Sequence, residues 1–229
     1  MSKYLIHTMP KRMWYVCGYL IPSMVSQGID RDDIKIFNDV HHLGCLHACM
    51  RVFSELPDEG QTWHLQDDVI ISKDFKQVTE TSFETIACGF ASDLYDKEAP
   101  SGIVNTENMW FSFQCILIPN KWAKECAEWC KRYIIGNPVY REYWEKGLND
   151  DWVFKQYVKT FHKDCSIMNI APNIVDHIDY IIGGSVASDY QRKSVFRSKY
   201  WKDKELVAEL ERRLNAIYCP ERKEHSSDI

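Results

Sequence analysis

The sequence predicts an α/β protein with a central, mainly parallel mixed sheet flanked by helices. Three observations predict it. Short apolar runs of strand length alternate with stretches whose apolar residues recur every three and four positions. The connections between them are short and marked by Gly, Pro, Asn and Asp. The 229 residues are 45% apolar and 27% charged, the balance of a globular chain long enough to bury one sizeable core.

The elements follow in order. Leu5-Ile-His-Thr8 reads as a first strand, ended by Met9-Pro10. From Lys11 the pattern turns helical: Met13, Val16, Cys17, Leu20, Ile21 and Met24 share one face, and Gln27-Gly28 closes it. Ile34 to Phe37 is a second strand, ending at Asn38-Asp39. Gly44 to Leu56 is a helix with Leu46, Cys49, Met50 and Phe53 inward, and Pro57 to Gly60 is a turn. The third strand carries Trp63-His-Leu-Gln-Asp-Asp-Val-Ile-Ile71. Lys73 to Ala87 reads as a helix, with strand pieces expected near Cys88–Ala91 and Phe111–Ile118. Pro119 to Ile135 is a helix with Trp122, Cys126 and Trp129 on one side. Asn149-Asp-Asp151 leads into a helix over Trp152–Phe161. Cys165 to Ile170 is the last strand, Ala171 to Ile178 a loop, and Gln191 to Leu214 a charged helical tail. Strands alternating with helices imply βαβ units, and ligands of such sheets bind at the carboxyl ends of the strands.

The net charge of -5 argues against a general nucleic-acid coat, though not against a local basic patch. No apolar run is long enough to span a bilayer. Residues Met1–His7 lack the apolar stretch of a signal peptide. The nine cysteines are scattered with no Cys-x-x-Cys, so they are expected to be reduced thiols of a cytoplasmic protein.

The informative stretch is Gln66-Asp-Asp-Val69. Asp is depleted in strands, and a buried carboxylate is costly unless paired. Asp67 and Asp68 nevertheless stand between two apolar runs that read as buried. Without a cation the two carboxylates repel one another. A hard divalent ion, Mn²⁺ or Mg²⁺, offsets that cost, because it prefers oxygen ligands and is held by one or two carboxylates plus substrate phosphates. The bland alternative is a pair of solvated loop acids. Against it, Ser72 or Asp74 already offers a cap for the next helix. His41, His42, Cys45, His47 and Cys49 resemble zinc ligands, but no second knuckle appears. Cys45 and Cys49 are better read as small buried residues of a helix.

These motifs together resemble the GT-A class of nucleotide-sugar glycosyltransferases, whose domain is Rossmann-like. HLQDDV looks like the acidic motif that ends a central strand and holds a metal against the donor diphosphate. HTMPKR is similar to the first strand and loop, which line the nucleotide pocket, and IFNDV to the second strand. NDDW resembles the acidic motif that faces the acceptor. PNIVDHI followed by GGSVAS is similar to a late segment whose His completes the metal shell. The sequence has Gln-Asp-Asp where many members have Asp-x-Asp, so either carboxylate remains open as the metal ligand. The resemblance covers roughly Tyr4 to Ser198.

It implies a metal-dependent glycosyltransferase, one GT-A-like domain over 1–190 with a donor half (about 1–90) and an acceptor half (about 91–190), and a charged tail over 191–229 near the site. It implies metal ligation by Asp68, Asp67 and His177. It implies donor contacts from Thr8, Pro10, Arg12, Asp39, Gln66, Asp67, Arg192 and Arg197. Asp150 or Asp151 would act on the acceptor, as general base if the reaction inverts. The donor would be a nucleotide-diphospho-sugar, foremost a UDP-sugar. A glycan, a protein and a hydroxylated base of phage DNA stay open as acceptors. The last would use the basic run Arg192 to Lys204 for phosphate contacts. The alternatives are a nucleotidyltransferase or other metal-phosphate enzyme, and a non-catalytic binding module on the same fold.

Overall fold

The computed structural model describes residues 3–90, 102–104, 113–145, 150–170 and 173–178. The first strand, β1 (Tyr4–Thr8), is followed by a single turn at Pro10–Arg12 and then by one continuous helical rod. The rod consists of α1 (Met13–Tyr15), a π-helical turn (Val16–Leu20) and α2 (Ile21–Ser26). The wide turn precedes Pro22, whose ring would crowd the Gly18 carbonyl in a regular α-helix. Next come β2 (Ile34–Asn38), α3 (Cys45–Ser54), β3 (Gln61–Gln66), β4 (Val69–Ile71), α4 (Phe75–Thr79) and β5 (Ile86–Cys88). They are followed by β6 (Gly102–Val104), β7 (Cys115–Pro119), α5 (Asn120–Tyr133), α6 (Arg141–Trp144), α7 (Asp150–Phe161), β8 (Ile167–Asn169) and β9 (Val175–His177).

Among the described residues, seven strands form one sheet in the order β2-β1-β3-β7-β5-β8-β6. Strands β1, β2, β3, β5 and β8 run one way, and β7 and β6 run against them, so the sheet is mixed and mainly parallel. The carboxyl ends of β1, β2 and β3 therefore come together at Thr8, Asn38 and Gln66. Alternate strand residues feed two cores. Tyr4, Ile6, Trp63, Leu65 and Leu117 pack with the first helical rod, β4 and β9. Leu5, Ile116, Ile118, Cys88 and Ile167 pack with α3, α5 and α7. The expected α/β architecture, a mainly parallel mixed sheet flanked by helices, holds. No helix among the described residues is long and apolar enough to cross a membrane.

Three local expectations need correction. The helix expected over Lys73–Ala87 is only the five-residue α4, and Ile86–Cys88 is instead a buried strand of the main sheet. The loop expected over Ala171–Ile178 contains β9. The acid pair does not interrupt a continuous strand. It forms the turn between β3 and β4, and β4 leaves the main sheet to pair antiparallel with β9, Val69 opposite His177. The tail from Gln191, with Arg192 and Arg197, lies outside the described residues.

Candidate functional site

β1 and β3 are parallel neighbours, with His7 opposite Gln66, so the turn after β3 meets the turn after β1. That register joins the acid pair to Thr8 and Arg12. Thr8 Oγ1 donates to Asp67 Oδ2 at 2.8 Å, and the Met9 amide donates to the same oxygen at 3.3 Å. Arg12 Nη1 lies 2.6 Å from Asp67 Oδ1 and 2.9 Å from Asp68 Oδ2. All three charged side chains are buried. Pro10 opens the turn that points Arg12 inward, and Pro suits that first position because its missing N–H is not needed there.

The fourth member arrives from far along the chain. The β4–β9 pair carries His177 to the acid turn, where its Nε2 lies 3.2 Å from Asp68 Oδ2. The Ile178 amide donates to the Asp68 carbonyl at 2.8 Å, fixing the register. Tyr15 Oη donates to the Val69 carbonyl at 2.6 Å and ties the first helical rod to the same turn.

The two carboxylates are not equivalent. Burial raises the affinity of Asp67 for a proton, the charge of Asp68 adds to this, and Arg12 and Thr8 offset it only in part. Burial would do the same to Asp68, but His177 and Arg12 outweigh it and hold that carboxyl well below the usual range. For Arg12, burial favours the neutral form, yet Asp68 and Asp67 prevail and its pKa is raised. The expected repulsion between the acids is thus largely answered by a guanidinium. Arg12 is neither solvated nor turned outward to a phosphate.

Asp67 uses both oxygens on Thr8, Met9 and Arg12. Asp68 Oδ1 is buried, and among the described residues it has no hydrogen-bond partner. A divalent ion here would take Asp68 Oδ1, and His177 Nε2 once that nitrogen gives up its proton and its contact with Asp68 Oδ2, with remaining ligands to come from substrate oxygens or water. No group of three His, Cys, Asp or Glu side chains among the described residues is spaced to hold a metal by itself.

Asp150 and Asp151 open α7. Asp151 Oδ1 accepts from the Trp152 amide at 2.7 Å. The Cys45 thiol is pushed up to about 12 by burial, then by the charges of Asp150, Asp68 and Asp67. One thiol at the start of α3 is thus raised by burial and by the charges of all three carboxylates. Asp39 serves its own loop: its carboxylate accepts from the amides of Leu43 at 3.0 Å and Gly44 at 3.2 Å. It thereby shapes the approach to α3. Gln66 ends β3, half-buried, on the strand face shared with His64.

Unforeseen from the sequence is a histidine pair, in which His64 is buried and His7 half-buried. His7 Nε2 and His64 Nδ1 are 3.0 Å apart on the α3 side of the sheet, beneath Phe37 and Phe53. Burial lowers His7 to about 4 and His64 well below 6.5. Both are neutral at pH 7. The available signal was a polar residue at an inward position in each of two adjacent strands.

No known protein family's sequence profile matches the chain, and no curated protein matches it significantly.

Proposed function

We propose that the protein is a metal-dependent glycosyltransferase of GT-A type, moving a sugar from a nucleotide-diphospho-sugar, foremost a UDP-sugar, to an acceptor hydroxyl. The observation that carries this reading is Asp68. It is a buried carboxylate beyond the end of β3, held ionised by Arg12 and His177, with one oxygen left over. The run of parallel strands β2-β1-β3 beside an antiparallel β7 supports it, because their carboxyl ends form the crevice in which such sheets bind nucleotides.

In this reading Asp68 and the neutral ring of His177 would hold the Mn²⁺ or Mg²⁺. When bound, the ion neutralises charge on the departing diphosphate. Asp67 keeps Arg12 in place through its Oδ1, 2.6 Å from Nη1, and Arg12 keeps Asp68 deprotonated and oriented. Thr8 fixes Asp67 against the end of β1. In an inverting reaction, Asp150 takes the proton of the acceptor hydroxyl as that oxygen bonds the anomeric carbon. The bond to the diphosphate breaks, and its electron pair leaves with the diphosphate.

One observation favours a second function. The Arg12 guanidinium already bridges both acids, as a binding module that had dispensed with metal would require. Incubating the protein with a panel of nucleotide-sugars, with Mn²⁺ or with EDTA, separates the two. Mn²⁺-dependent release of nucleoside diphosphate supports the transferase. Binding without turnover supports the module, and consumption of nucleoside triphosphates instead would point to a nucleotidyltransferase.

A further inference from the structure

Away from the acid pair, α5 and α7 form the walls of a groove of about 630 Å³, within the usual range of small-molecule sites. Its walls are two aromatic pairs at one-turn spacing, Trp129 and Tyr133 on α5 and Tyr157 and Phe161 on α7. Trp129 meets Phe161 edge-on at 6.2 Å, and Tyr157 lies 5.2 Å from Phe161. Tyr133 and Phe161 are 53% and 54% exposed, so neither ring is spent on the core. The floor is fixed. Tyr157 Oη donates to Glu125 Oε2 at 2.7 Å and lies 3.2 Å from His162 Nε2, and Trp122 stacks on the His162 ring at 3.8 Å.

The rim decides the ligand's charge. Lys121, Lys124 and Arg132 stand against Asp58, Glu125 and Glu128, three cations and three carboxylates. A single-stranded nucleic acid needs a positive groove beside its stacking rings. A quaternary ammonium needs rings without competing cations. An uncharged saccharide needs neither. Its flat C–H face covers an aromatic ring, and its hydroxyls exchange hydrogen bonds with charged donors and acceptors together.

We infer that this groove binds an uncharged oligosaccharide. Its role as an acceptor-side or product-side subsite rests on the transferase reading above; the binding itself does not. Helix α7 links the two places. Asp150 begins it and Phe161 ends it, and its twelve residues span about 18 Å.

The test is binding of the full chain, in EDTA, to immobilised neutral hexasaccharides of the cellulose, chitin, maltose and mannan series. At least one is expected to bind, and Tyr133→Ala/Phe161→Ala is expected to weaken it tenfold or more. Both rings are exposed, so the double variant should keep its melting temperature and its Mn²⁺ binding. Asp68→Ala should keep the glycan binding, so failure of the metal site would not be mistaken for failure of the groove. Absence of binding to all four series, or binding indifferent to the double variant, would overturn the inference. So would self-association that the double variant abolishes, which would make the face a contact between two copies.

Discussion

Arg12 sets the electrostatic character of the acid pair. A Lys-Arg at the start of a helix gives no sign of which side chain turns inward, so the sequence showed the two acids and not their counter-ion. Removing a partner of a buried ion pair costs about 3–5 kcal/mol, because the remaining charges are left uncompensated. Arg12→Met should therefore melt well below the wild type in EDTA. Mn²⁺ should restore its stability by more than it raises that of the wild type, because the cation then replaces the guanidinium. Equal responses in the two proteins would separate the cation site from the pair. The histidines His7 and His64 make a second prediction. Their folded pKa values are lowered, to about 4 for His7, while an unfolded His titrates near 6.5. Below pH 6.5 the unfolded chain takes up protons that the folded chain refuses, so stability falls as pH drops from 6.5 toward 4. At about 1.4 kcal/mol per pH unit, the His7 gap alone corresponds to about 3 kcal/mol across that window. Denaturant unfolding at pH 7 and pH 5 should show the loss, and His64→Leu should reduce it.

At the scale of elements, the long helices α3, α5 and α7 were legible because each shows a sustained apolar face. The short strands were not. Ile86-Ala-Cys88 is an apolar run too short to separate from a helix, and β9 is defined by its pairing with β4 rather than by any pattern of its own. That pairing matters most, because it delivers His177. Gly89 permits it. An added Cβ would lie 2.7 Å from Ile174 Cγ1 and 2.9 Å from Cys115 Sγ, where β5 and β7 pass the lead into β9. The Ile174 amide donates to the Gly89 carbonyl at 2.9 Å, so the two segments cannot separate freely. Gly89→Ala should cost about 1–3 kcal/mol by overpacking. It should also weaken Mn²⁺ binding, since β9 must shift. A variant that kept wild-type stability and metal affinity would show that the approach is not tight.

At the scale of the molecule, the sheet brings the first seventy residues to the strand ends, and α7 and β9 return to the same place from the second half. The candidate acids and Thr8 were legible as residues because each stands at an element's end, whereas His177, expected in a loop, was named only through the family resemblance. Their mutual geometry was not legible, since it depends on β4 leaving the main sheet. The division of labour between halves predicts that Asp150→Asn spares the donor side. Nucleotide and Mn²⁺ binding should stay within about twofold of wild type. Transfer to an acceptor should fall about 10²–10⁴-fold, the usual contribution of a positioned base. A parallel loss of donor affinity would assign Asp150 to the donor instead.

The central claim is that Asp68 and His177 form the protein's share of a divalent-cation site. Its most direct measurement is a titration of Mn²⁺ against the protein in the presence of UDP, followed by the paramagnetic resonance of the free ion. The wild type should bind one Mn²⁺ per chain, and Asp68→Asn and His177→Ala should each weaken that binding at least tenfold while remaining folded. Wild-type binding that both variants retain, or no binding by the wild type at all, would contradict the account.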